Sequence, residues 1–92
     1  MTFDAEEKLR AWIRERADDF WVPKMLRKVE RPEQLAMIAV GLAFKRSQEE
    51  LQGFAGMIRD IESCGVEREL ITAIIFQLGQ DIIEAEEAQK KN

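Results

Sequence analysis

Two charge-free stretches, Gln34–Phe44 and Leu70–Gln80, constrain most strongly what this chain can fold into. Each is eleven residues long, in a chain where 35% of residues are charged. A helix that crosses a bilayer needs about 20 apolar residues. Both stretches are too short for that, so they read as elements of a buried core. The chain has 92 residues, enough for one small domain and too few for two.

Hydrophobic spacing decides what the core elements are. Ile71, Ile74, Ile75, Leu78, Ile82 and Ala85 recur at three and four residues, and the pattern runs on into helix-forming sequence at Glu84–Lys90. That continuation favours a helix over about 67–90, despite the β-branched run inside it. Upstream, Leu35, Ile38, Ala39 and Leu42 share one helical face. A second stripe runs Met37, Val40, Phe44, Ser47, Leu51, Phe54, Ile58, Ile61. It alternates steps of three and four, as a heptad seam does. With no Gly or Pro at Lys45-Arg46-Ser47, the pattern predicts one long helix from Pro32 to about Ser63. The competing reading breaks the helix at Lys45-Arg46-Ser47, where Ser47 and Glu50 imitate a capping box just after two basic residues.

Punctuation supplies the other boundaries. Cys64-Gly65-Val66 reads as a Schellman ending, with Gly65 left-handed and Val66 meeting Ile61. So short a connection turns the last helix back against the long one. The two prolines, Pro23 and Pro32, each suit the first position of a helix, and Pro23 disfavours helical geometry at Val22. A short helix is therefore expected over Pro23–Val29. Asp4 and Glu7 have capping-box spacing, and Leu9, Trp12, Ile13, Ala17 and Phe20 make one apolar face of a first helix, Asp4–Phe20. The expected fold is all-α, a single domain over residues 1–92. It is a small bundle built on a long antiparallel helical hairpin, with an N-terminal helix and a short connecting helix. Ala36, Ala39, Gly41, Ala43, Gly53, Ala55 and Gly56 are small enough to allow close helix approach.

Composition narrows the chemistry. The chain contains no His, no Tyr and one Cys. A disulfide framework needs paired cysteines, and zinc or haem sites normally need His or several Cys. Ser-His and Cys-His nucleophile schemes need a His. No Gly-rich phosphate loop or dinucleotide fingerprint is present. The chain is read as not an enzyme, with no cofactor and no metal. Charges run through the first twenty residues without an apolar segment, and Cys64 is a lone thiol. No signal peptide, no membrane association and a cytoplasmic location are the expectation.

Three surfaces are candidates for function. The first is an apolar interface for a protein partner or a second copy, formed by Leu51, Phe54 and Ile58 of the seam or by Phe76 and Ile83. The last two are seven residues apart and lie off the main stripe. The second is acidic: Asp81, Glu84, Glu86 and Glu87. The third is a basic island, Lys24, Arg27, Lys28 and Arg31 beside Trp21, in a chain of net charge −4. A helix-turn-helix reading around Pro32 fails, because the would-be reading helix Gln34–Val40 is apolar, and base edges need polar side chains. The sequence thus predicts a non-enzymatic protein–protein interaction module, a homodimer of the inhibitor, antitoxin-like, chaperone or adaptor kind. It would act by occupying a surface of a macromolecular partner. One alternative is an acidic mimic of nucleic acid that inhibits a nucleic-acid-binding complex. Another is a weak binder of nucleic acid or anionic surfaces through residues 24–31, although direct nucleic-acid binding is not expected.

Overall fold

The architecture is all-α. The computed structural model describes residues 2–16, 21–48 and 53–90, and these form five helices and no strand. They are α1 (Phe3–Arg16), α2 (Trp21–Arg27), α3 (Pro32–Ser47), α4 (Phe54–Ser63) and α5 (Arg68–Lys90).

Helix α3 is the centre. Leu35, Ala36, Ala39, Val40, Leu42 and Ala43 are all buried along it, which accounts for the first charge-free stretch. Helices α1, α4 and α5 each pack on α3, and α2 packs on α1. The alanines let neighbours come close without lost volume. At its start Pro32 occupies the first turn, where no backbone donor is needed. The Gln34 Oε1 accepts from the backbone N–H groups of Glu30 at 2.7 Å and Arg31 at 3.0 Å, fixing the entry of the chain.

The continuous helix over residues 32–63 is not formed. Helix α3 ends at Ser47, whose hydroxyl donates to the Phe44 carbonyl at 2.8 Å. Helix α4 starts at Phe54, with Gly53 as its extended N-cap. The competing break at Lys45-Arg46-Ser47 falls where α3 ends, but Ser47 closes that helix rather than capping the next, whose N-cap is Gly53. The physical reason lies in the seam itself. A straight helix would leave its second stripe without a partner in one chain. Broken, the stripe folds back on its own first half. Val40 and Ile61 are fully buried, and the Phe44 and Phe54 rings meet edge-on with centroids 6.3 Å apart. Three-four spacing specifies which residues share a face and leaves open whether they share a helix.

Smaller boundaries also differ. Helix α1 is capped by Thr2, not Asp4: the Ala5 N–H donates to Thr2 Oγ1 at 3.2 Å. Asp4 then sits inside the first turn, where its charge suits the helix dipole. The expected continuation through Ala17 and Phe20 lies outside the described residues. Helix α2 begins two residues before Pro23, and Val22 is helical and buried. The first turn of any helix has orphan N–H groups, so proline fits at its third position as well as its first. Burial of Val22 outweighs the mild restriction that the following proline imposes.

The left-handed glycine expected at the end of α4 is present, although the long helix of the expected hairpin is broken. Cys64 is the C-cap, Gly65 has φ +109°, and the Gly65 N–H donates to the Glu62 carbonyl at 2.9 Å. Val66 and Ile61 both lie in the core. The end of α1 is tied to α4 by Arg16, which stacks 4.5 Å from the Trp12 ring centroid and pairs with Asp60 at 3.6 Å. Arg46 donates to the Arg16 carbonyl from α3.

Helix α5 outruns the core. Of its main stripe only Ile71 is fully buried, while Ile74, Leu78 and Ile82 are half-buried. Its 23 residues make a rod of about 34 Å in a molecule whose longest dimension is 46 Å.

Candidate interaction site

Where α5 leaves the core, the surface turns apolar. Met37 on α3 is 54% exposed, Met25 on α2 is 43% exposed, and together they flank a groove of about 580 Å³. Its walls are Met25 and Val29 from the α2 side and Met37, Ile38, Gly41 and Leu42 from α3. Lys28 and Lys45 stand at its rim. A second cleft of about 240 Å³ continues from Met37 and Gly41 to Ile74 and Leu78 on α5, with Asp81 at its far end. The two share Met37 and Gly41, so a single apolar trough crosses α2, α3 and α5. Methionine side chains are unbranched and adapt to different partners, which suits them to the walls of a binding groove.

Gly41 shapes the trough. A Cβ at position 41 would meet nothing within 4 Å. The same holds at Gly53. The expectation that these glycines admit a close neighbour is therefore not met; at Gly41 the missing side chain leaves room in the groove instead. Gly65, by contrast, has a close neighbour in Ala5.

A second apolar surface lies on the outer flank of α5. Phe76 is 68% exposed and Ile83 50% exposed. At 100° per residue they fall on one line, nearly opposite Ile74, and Glu87 extends that line by one more turn. Phe76 and Ile83 are thus both exposed on one flank of α5, two turns apart. Phe54 and Ile58 are instead partly buried against the core, so the seam is largely spent inside the molecule. Leu51 and the side chain of Trp21 lie outside the described residues.

The acidic residues Asp81, Glu84, Glu86 and Glu87 are all exposed, but they wind around α5 rather than converging. Asp81 accepts a bond from Gln77 Nε2 at 3.0 Å. Among the described residues no cluster of carboxylates or Cys64 could hold a metal ion. The basic island is exposed at Lys24, Arg27, Lys28 and Arg31, yet it does not form one face. Lys28 lines the apolar groove, and Arg27 lines a separate cleft between α1 and α2 with Arg10 and Arg14. Sequence reading missed Arg10 and Arg14 because they are distant in the chain from Arg27. Their spacing of four, which puts both on one face of α1, was the available signal.

Cys64 is half-buried at the end of α4. Burial, reinforced by the nearby Asp60 carboxylate, raises its pKa above the ordinary thiol range. That holds the thiol protonated at neutral pH and makes it a poor nucleophile. Among the described residues no helix is long and apolar enough to cross a membrane.

Compared with known proteins, the chain matches no family model, no curated protein and no solved structure.

Proposed function

We propose that this chain is a non-enzymatic protein–protein interaction module that pairs with a second copy of itself and acts by occupying a surface of a macromolecular partner. The observation that carries the reading is the apolar trough through Met25, Met37 and Gly41, together with the separate exposed line Phe76–Ile83. A small chain gains nothing for folding by leaving two such surfaces wet, and contiguous exposed apolar patches mark interaction sites.

The two surfaces complement each other. The trough is a concave apolar channel with lysines at its rim. The α5 flank is a convex apolar ridge, Phe76 then Ile83, followed by Glu87 and bordered by Glu84. Helix-in-groove docking of one copy's α5 into the other's trough puts apolar on apolar and carboxylates near Lys28 and Lys45. Docking of this kind joins two copies through unlike surfaces, a heterologous contact. In the dimer, the remaining exposed surface of α5 is left to meet the macromolecular target, as in small inhibitors and adaptors.

The double substitution Phe76→Glu with Ile83→Glu tests the pairing. Both side chains are exposed, so the fold should survive, and native mass spectrometry should find a monomer where the unmodified chain gives a dimer. A dimer unchanged by both substitutions would remove this interface and with it the reading.

A further inference from the structure

We infer that the cleft between α1 and α2 is a binding site for a small ligand carrying a diphosphate or triphosphate group. The cleft has a volume of about 510 Å³ and is lined by Arg10, Arg14, Val22, Pro23, Leu26 and Arg27. Three of these six side chains are guanidinium groups, and none is a carboxylate. This occurs in a chain with 18 acidic residues and a net charge of −4. Among the described residues Arg10, Arg14 and Arg27 make no ion pair with a carboxylate, unlike Arg16 and Arg68.

The arrangement suits a compact polyanion. Arg10 and Arg14 are one helical turn apart on α1, about 6 Å along its axis. Arg27 approaches from α2. Guanidinium groups are planar forks that bind phosphoryl oxygens two at a time, and each stays charged at any physiological pH. Three of them around one cavity repel one another until an anion of comparable charge enters. Arg10 is already held there: its Nη1 donates to the Leu26 carbonyl at 3.4 Å, which fixes one wall of the cleft before any ligand arrives. The floor is apolar, with Val22 and Leu26 buried, and offers contact to the non-phosphate part of a ligand. The volume falls within the range of about 300–1,000 Å³ found for small-molecule sites.

An extended nucleic-acid strand is a worse fit. Strand binding relies on aromatic platforms along an open groove, and none of the described lining residues is aromatic. The site is independent of the proposed dimer, since it shares no lining residue with the Met25–Met37 groove.

The test is a titration of the whole chain with inorganic pyrophosphate, followed through the arginine Nε–Hε signals by NMR. The expected result is saturable binding in which Arg10, Arg14 and Arg27 shift together. Arg14→Gln and Arg27→Gln should each weaken it by about ten-fold or more, the usual scale for a lost charged hydrogen bond. Arg59→Gln, an exposed arginine on α4, should leave it unchanged. Orthophosphate should bind much more weakly than pyrophosphate. Shifts that never saturate, an equal loss from Arg59→Gln, or equal affinity for orthophosphate would overturn the proposal. So would a single-stranded oligonucleotide that binds these arginines more tightly than pyrophosphate does.

Discussion

Gly65 and Ala5 approach so closely that a Cβ at position 65 would stand 2.8 Å from the Cβ of Ala5. The turn between α4 and α5 is thereby locked against the first turn of α1. Gly65 answers two demands at once, a φ of +109° and the absence of a side chain.

Gly65→Ala is expected to destabilise the fold by about 2–4 kcal/mol, combining left-handed strain with overpacking. Adding Ala5→Gly should recover the overpacking part and leave the strain. Urea unfolding of the two single variants and the double separates the contributions. A fully additive loss would mean that the two residues do not touch.

Gly41 predicts the opposite sign. Gly41→Ala places a methyl where nothing lies within 4 Å, in the middle of α3. Stability should rise by about 0.5–1 kcal/mol from helix propensity alone. Gly41→Leu should keep the fold and block the trough, so its mass in native conditions should be that of a monomer. Thermal melts and sedimentation velocity read the two effects separately.

Burial contrasts sharply between the core and the α5 flank, and stability should follow it. Leu35→Ala removes a fully buried side chain from the central helix and should cost about 2–5 kcal/mol. Ile83→Ala, half exposed, should change monomer stability by less than about 0.5 kcal/mol while weakening self-association. Unfolding at high dilution, where pairing does not contribute, gives the comparison.

The fold class and most helix faces were legible because they depend on spacing. Leu9, Ile13, Leu35, Ala39 and Ile71 are buried where three-four periodicity puts them. The α4–α5 turn was legible because Gly65 sits one residue past the C-cap. The break at Ser47 was legible only as the competing reading, because the 3/4 stripe that argued for continuity is also what lets α4 fold back on α3. Gly53, which the expected long helix would have made interior, is an N-cap, where glycine is well tolerated. At the site, Phe76 and Ile83 stood out as off-stripe apolar residues. Met25 and Met37 did not: Met37 continued a plausible buried stripe, and only the packing of the helices leaves the two exposed. The split of Lys28 from Arg27 followed from where α2 docks on α1, a tertiary fact.

Cys64 gives a pH dependence with a defined sign. Burial and the Asp60 carboxylate raise its folded pKa above that of the unfolded thiol. Below the ordinary thiol range both states are protonated, and the contribution of this group to stability is fully present. As the pH rises through the unfolded and then the folded pKa, the unfolded chain loses its proton first and stability falls. Cys64→Ser should flatten that alkaline loss in pH-dependent unfolding. Thiol-reagent labelling of the folded chain at neutral pH should be slower than for an unfolded control.

The most direct test of the central claim uses the methionine methyl groups. Met25 and Met37 flank the trough, and Met57 is buried in the core as an internal reference. In ¹³C-methyl NMR across a dilution series, the Met25 and Met37 signals should move together as a dimer dissociates, while Met57 stays fixed. If Met25 and Met37 hold constant positions, remain open to a soluble paramagnetic probe at every concentration, and diffuse with a monomer, the trough does not pair with a second copy and the account is contradicted.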